Sequence, residues 1–327
     1  MRDKLDKTVY EEEIKDFIPE KIFDFHIHIW EKEQVIKKEE ATSPSSHIRE
    51  FTFEDLEKTH GKLLPKVKLS ALVFGIPRSP KEIYTERMNL YISKKIKTDR
   101  KYYGLLLPSL KSDSNKLYKE IKKGNFKGFK PYLTMTEGKE RENIRITDFV
   151  TKAQLEVAND LGLVILLHIP RKNRIADPLN IEDIIYICSA YPKVKIVLAH
   201  VGRSYGPYFL EKTIDKIKNL KNLYYDLAMV NDGKVIELLL ENVSPSKIIY
   251  GSDIPIALEK GKHICINRQC VFITSKKFAW SVSSKNVECT YFLYEIIRAI
   301  KWAVTRKRLS QKDIEDIFYN NALRLLK

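Results

Sequence analysis

A chain of 327 residues is longer than the commonest domain, but an α/β barrel reaches this length as one unit, so a single domain over 1–327 is expected. Apolar residues at 43% and charged residues at 31% exclude a disordered chain and allow a large core. The formal charge is +15, but the lysines are scattered among glutamates, with no basic run interleaved with aromatics, and no stretch nears the ~18 uninterrupted apolar residues of a membrane span. Neither a nucleic acid nor a membrane is therefore an expected partner, whereas a positive field would draw in small anions.

The opening MRDKLDKTVYEEEIKDF has no apolar run behind its basic residues, which predicts a cytoplasmic protein. Cys188, Cys265, Cys270 and Cys289 show neither CxxC spacing nor the density of a secreted disulfide framework. Core or incidental thiols are expected, with a Cys265 to Cys270 link as the minor alternative.

Eight short β-type runs follow one another, at 21–28, 68–74, 103–107, 127–132, 163–168, 195–200, 222–227 and 247–253. Segments with helical apolar spacing follow most of them, including 81–97, 148–161, 181–191 and 234–241. Repeated βα units predict a parallel sheet, and eight of them predict closure into an α/β fold of the (β/α)8, or TIM barrel, kind. Two connections exceed ordinary loop length, 30–65 after strand one and 257–285 after strand eight. Both leave the C-terminal ends of strands, where barrel enzymes build their sites, so both are expected to shape a pocket. The apolar stretch 270–273 suggests a small extra strand within the second.

In Phe23-Asp24-Phe25-His26-Ile27-His28-Ile29 the period of two sends Asp24, His26 and His28 to one face and the apolar residues to the other. An HxH pair alone is weak, and placement gives it weight. His168 and His200 each close a β-type run, as does Asp253 in Ile248-Ile249-Tyr250-Gly251-Ser252-Asp253. Four of the seven histidines thus stand at proposed strand ends. Imidazoles with a carboxylate suit a divalent metal, Zn2+ first, with Mn2+ or Fe2+ as alternatives. His47, His60 and His263 lie in the insertions, where surface roles are expected, the alternative being a loop histidine that reaches substrate.

As an ordered set these motifs resemble the amidohydrolase superfamily, specifically the amidohydrolase-related branch that includes aminocarboxymuconate-semialdehyde decarboxylase-like enzymes. The resemblance covers nearly the whole chain: Asp24-Phe25-His26-Ile27-His28, Gly128-Phe129-Lys130-Pro131, His168, His200, Gly251-Ser252-Asp253-Ile254-Pro255 and the closing Asn320-Asn321-Ala322-Leu323-Arg324-Leu325-Leu326, where Asn320 replaces a common glycine.

The resemblance implies that His26, His28, His168 and Asp253 hold one metal, which lowers the pKa of water from 15.7 toward about 7. It implies that Asp253 also takes the water's proton and that His200 acts as acid, base or oxyanion stabiliser, with a second-metal ligand as its competing role. Lys130 is expected to be a pocket cation or donor, the alternative being a carboxylated lysine bridging two metals. In the loop after His200, Arg203 and Tyr205 are candidate substrate contacts, a surface salt bridge being the rival reading for Arg203. Arg171 and Tyr132 are weaker candidates, and Asp226 is expected to be a structural hydrogen-bonding group.

The expected function is a metal-dependent hydrolase using metal-activated water on a C–N or ester/lactone bond of a small, anionic substrate. A non-oxidative decarboxylase is the alternative, and a non-catalytic metal-binding barrel ranks third. A homo-oligomer stays open.

Overall fold

The computed structural model describes residues 4–36, 47–266, 268–284 and 286–327. Its parallel strands are β1 (Lys21–His28), β2 (Lys68–Phe74), β3 (Tyr102–Gly104), β4 (Gly128–Phe129), β5 (Val164–Leu167), β6 (Lys195–Leu198), β7 (Leu223–Asp226) and β8 (Ile248–Ile249). β1 to β3 form one ladder and β4 to β8 a second, each strand beside its neighbour in sequence. Two seams join the ladders. At the first, Lys127 N–H donates to the Gly104 carbonyl and Lys130 N–H to that of Leu106, both at 2.9 Å. At the second, Phe25 N–H donates to Tyr250 O at 3.1 Å and His28 N–H to Ile254 O at 2.8 Å. The ring therefore closes as the expected (β/α)8 barrel, and no sheet edge is left unpaired within it.

Both faces of β1 are buried, as barrel geometry requires. Phe23, Phe25 and Ile27 are fully covered on the helix side, while Asp24, His26 and His28 turn into the barrel. Several strands are shorter than their patterns predict. The run 247–253 keeps only Ile248–Ile249 in the ladder, because the backbone leaves it before Asp253, whose φ is 72°. The departure swings the carboxylate to the barrel mouth. The helices lie close to the expected segments, at Thr85–Thr98, Lys152–Leu161, Pro178–Ala190 and Gly233–Asn242. Caps set their starts: the Thr151 hydroxyl accepts from Gln154 N–H at 3.3 Å, and Asp177 accepts from Leu179 N–H at 3.1 Å ahead of Pro178.

Both insertions carry structure. The first pairs Trp30 with Phe51 before the helix Phe53–Leu63, and its residues 37–46 lie outside the described set. The second folds into a hairpin of β9 (Gly261–Ile266) and β10 (Gln269–Thr274), with β11 (Val282–Ser283) alongside, so the extra strand expected at 270–273 is present. The hairpin register sets Cys265 opposite Cys270, and the two are disulfide-bonded. The minor alternative is thus the one observed, and the main expectation of free thiols there is corrected, since it weighed motif spacing but not cross-strand pairing. Cys188 and Cys289 are free. No helix among the described residues is long and apolar enough to cross a membrane.

Candidate active site

His26 and His28 from β1 and Asp253 from the end of β8 converge at the mouth, with one ligand atom of each within 4.8 Å of the others. Asp253 Oδ1 lies 3.0 Å from His28 Nε2 and 3.4 Å from His26 Nε2. The other nitrogen of each ring is already committed. His26 Nδ1 meets Asp226 Oδ2 at 2.5 Å, and His28 Nδ1 meets the Gly75 carbonyl at 3.1 Å. A carbonyl only accepts, so Nδ1 carries the proton in His28; in His26 the tautomer with Nδ1–H toward Asp226 is the one that leaves Nε2 open to a cation. In those tautomers both Nε2 atoms present a lone pair to a carboxylate oxygen. Lone pairs at this separation repel unless a cation stands among them, and burial holds His26 well below its usual pKa, which disfavours a proton. The donor set thus fits a divalent cation, with Asp226 and Gly75 orienting the ligands from behind.

Asp226 is fully buried, and its Oδ1 also accepts from Ala228 N–H at 2.7 Å, so the structural hydrogen bonding expected of it is what it does. Gly251 makes the approach feasible, since a Cβ there would stand 2.3 Å from Asp226 Oδ1 and 3.0 Å from His26 Cβ. Asp24 fixes the same strand ends, accepting from His26 N–H at 3.1 Å and Ser252 N–H at 2.9 Å. Burial pushes its carboxyl up to about 7.

His168 lines the same cavity but lies outside the three-residue cluster, its ring 5.2 Å from that of His200. His200 stands 4.9 Å from the His26 ring, and its Nδ1–H donates to the Ala228 carbonyl at 2.8 Å, which turns Nε2 to the cavity side of the ring. Burial lowers its pKa to about 4, leaving a neutral imidazole. The backbone here is unusual. His200, Val201, Gly202 and Arg203 are all left-handed, with φ of 56°, 49°, 63° and 60°. Each of the three non-glycine residues costs roughly 1–2 kcal/mol in that region, so the turn needs outside support.

Arg203 supplies part of it by donating to the carbonyls of Ile169, Pro170 and Arg171 at 3.4, 3.4 and 3.0 Å, tying the turn to the chain just after His168. Neither Arg203 nor Tyr205 lines the cavity that holds His26, His28 and Asp253. Among the described residues Arg203 also makes no carboxylate pair, so a surface salt bridge is not its explanation there. Tyr205 lies behind His200, ring centroids 6.1 Å apart, and stacks on His263 at 4.0 Å. His263 was expected on the surface; it is instead 3% exposed, because the hairpin folds back over the barrel. Arg171 pairs with Asp177 at 2.9 Å.

Lys130 is fully buried in the cavity wall, and its Nζ has no hydrogen-bond partner among the described residues; it sits 4.8 Å above the Phe74 ring. Burial drives its pKa from 10.5 down to about 7. Between those values the unfolded chain binds a proton that the folded chain does not, so stability rises with pH through this window; below about 7 the amine is charged in both states. Lys130→Met is accordingly expected to raise the melting temperature of metal-free protein at neutral pH, by an increment that shrinks toward pH 10. Thermal scans at about pH 7, 8.5 and 10 read this directly, and a constant increment would show that the amine is not held neutral.

The cavity holds about 500 Å³ and combines these groups with an apolar wall of Trp30, Ile76, Pro77, Ile144 and Ile256. Tyr132 also lines it, its hydroxyl donating to Gly75 O at 2.9 Å. The insertion 257–285 was expected to shape this pocket, but none of its described residues lines it. The segment after β4 takes that place with Thr134, Thr136, Lys139 and Arg141. Lys139 is paired with Asp148 at 2.7 Å, whereas Arg141 is exposed and has no partner among the described residues. The available sequence signal for these two cations was the length of the β4-to-helix connection, 133–147 between the expected strand and helix, which was not singled out.

Solved structures with the same fold include Amidohydrolase 2 from Bifidobacterium longum subsp. infantis, 13% identical over 94% of this chain and 98% of that one, with a TM-score of 0.56. A protein from Acinetobacter baumannii described as "probable 2-pyrone-4,6-dicarboxylic acid hydrolase" is 14% identical over 93% and 98%, TM-score 0.60. A 2,6-dihydroxybenzoate decarboxylase from Rhizobium is 12% identical over 93% and 98%, TM-score 0.56. No curated protein matches the chain in sequence. The amidohydrolase family model, however, matches residues 23–327, a span that begins at β1 and includes every cluster residue described above. The chain belongs to the amidohydrolase family, and it is an enzyme of the amidohydrolase superfamily.

Proposed function

We propose that this enzyme hydrolyses a C–N, ester or lactone bond in a small anionic substrate, with His26, His28, His168 and Asp253 holding one divalent cation, zinc before manganese or iron. The observation that carries the reading is the convergence of the His26 and His28 Nε2 atoms on Asp253 inside a cavity whose mouth bears Arg141, a cation without a partner among the described residues. Bound there, the cation would lower the pKa of a water toward about 7 and polarise the scissile carbonyl. Asp253 accepts the proton that the attacking water gives up. His200 presents Nε2 as the acid–base group, or stabilises the developing oxyanion, its other nitrogen being anchored to Ala228. Lys130 adds a second donor, and the lack of a hydrogen-bond partner for its Nζ among the described residues suits a group that meets substrate.

Arg141 is assigned to the substrate's carboxylate, which a guanidinium can clasp through two parallel hydrogen bonds. The net charge of +15 favours the same class of ligand, and two of the similar structures carry names that refer to a dicarboxylic acid and a dihydroxybenzoate. Arg141→Ala should raise KM for anionic substrates about 10- to 100-fold with little change in kcat, the mark of an interaction equal in ground and transition states. An unchanged KM would remove Arg141 from the substrate site.

The reaction class is tested by incubating cation-loaded protein with small carboxylates bearing amide, ester or lactone groups in 18O-labelled water. One 18O in the product acid establishes hydrolysis. Release of carbon dioxide from a benzoate-type carboxylate without label in the organic product would instead establish the decarboxylase alternative.

A further inference from the structure

The left-handed turn at 200–203 is braced on one side by Arg203, and the residues that follow it, Tyr205 and Gly206, pack against the hairpin insertion. Tyr205 is stacked on His263 of β9 with rings 4.0 Å apart and 16° from parallel, and Phe272 of β10 closes on the same pair, 3.6 Å from His263 and 6.2 Å from Tyr205. One residue further on, Gly206 lies against the disulfide so closely that a Cβ would stand 2.7 Å from Cys265 Sγ and 3.7 Å from Cys270 Sγ. His263 is two residues from Cys265 on the same strand. Its Nδ1 meets the Met229 carbonyl at 3.2 Å, while Nε2 is buried with no hydrogen-bond partner among the described residues, so one hydrogen bond and the stacking hold the ring. Loop 203–206 therefore touches the disulfide at one end and the His200 turn at the other. Both cysteines are only half-buried, within reach of a reductant.

We propose that the 261–274 hairpin is a thiol–disulfide-controlled positioning element: the Cys265–Cys270 bond clamps His263 and Phe272 onto Tyr205, and that stack holds the left-handed turn which aims His200. A dithiol reductant opens the clamp. Its two thiols become a disulfide as the Cys265 Sγ–Cys270 Sγ bond breaks, and the two electrons and two protons end on the two cysteine thiols. With the cross-strand bond gone, the hairpin loses its constraint at the point nearest Gly206, and a turn built from residues that disfavour its backbone relaxes. Tyr205, His263 and the cysteines are positioning residues, since none of them lines the catalytic cavity.

The consequence for turnover rests on the proposed role of His200, so the deciding readout is a different one. Amide hydrogen exchange is followed on cation-loaded protein, oxidised and after dithiothreitol, with bound metal measured in each sample. Peptides covering 199–206 are expected to exchange at least tenfold faster in the reduced protein, while β1 and β2 keep their protection. Cys265→Ser with Cys270→Ser should reproduce the change without any reductant. His263→Ala should match it with the disulfide intact, and His263→Phe, which keeps the stacked ring, should restore slow exchange. Faster exchange confined to 261–274, with 199–206 unchanged in every variant, would overturn the proposal. If the exchange result holds but kcat does not fall on reduction, the positioning stands and the acid–base reading of His200 fails.

Discussion

Replacing His28 with alanine is expected to empty the site of its cation and to lower kcat by at least about 10³-fold. The reason is geometric. His28 contributes one of two imidazole nitrogens that face Asp253 Oδ1, and Asp253 stands 3.0 Å from it, nearer than from His26. The variant leaves one imidazole and one carboxylate in the cluster, and it leaves the Gly75 carbonyl with only the Tyr132 hydroxyl. Metal content by plasma mass spectrometry, measured beside kcat, checks both halves of the expectation. One equivalent of metal retained at wild-type affinity would show that the cation site lies elsewhere.

His200→Asn should behave differently, losing about 10²- to 10⁴-fold in kcat while keeping its metal. His200 is not one of the three clustered donors, and its Nδ1–H is committed to Ala228 O at 2.8 Å, a bond that an asparagine amide can imitate. What asparagine cannot supply is a second nitrogen able to take and return a proton. Burial already places the ring's pKa at about 4, so the imidazole is neutral well before neutral pH, and the loss is expected to be the same at about pH 6 as at pH 8. Loss of metal along with activity would move His200 into the ligand set, as the two-metal reading has it; unchanged kcat would remove it from the chemistry.

These two variants separate residues that look alike in the sequence. His26, His28, His168 and His200 all end β-type runs, and that placement followed from side-chain alternation and strand length alone. The same local rules gave eight strands in order, the helices between them and a short strand near 270, because strand and helix periodicities depend on residues only a few positions apart. They also supplied the extra length at 257–285, though not its role.

Contacts across the chain were beyond those rules. Asp226 meets His26 across 200 positions, and Gly251 is required only because Asp226 and His26 crowd it in space. Arg203 and Tyr205 were legible as loop residues after His200, but whether such side chains face a substrate or the protein depends on backbone handedness, and four successive left-handed residues turn them toward β5 and the hairpin. The Cys265–Cys270 pairing likewise follows from hairpin register rather than from a spacing motif. Arg141 came to the cavity because the chain after β4 bends over the mouth, a path that no periodicity encodes.

By itself the sequence determined the order of elements, the closure they imply and the chemical types available at the strand ends, since each is set by local alternation and by the amino acids present. Only the tertiary structure decided which of those groups meet, which nitrogen of each imidazole is committed to the protein behind it, and which cation at the mouth has no partner among the described residues. Those outcomes depend on a closed ring bringing β8 against β1, and hydrogen bonds and charge act over a few ångströms of space, whatever the separation along the chain.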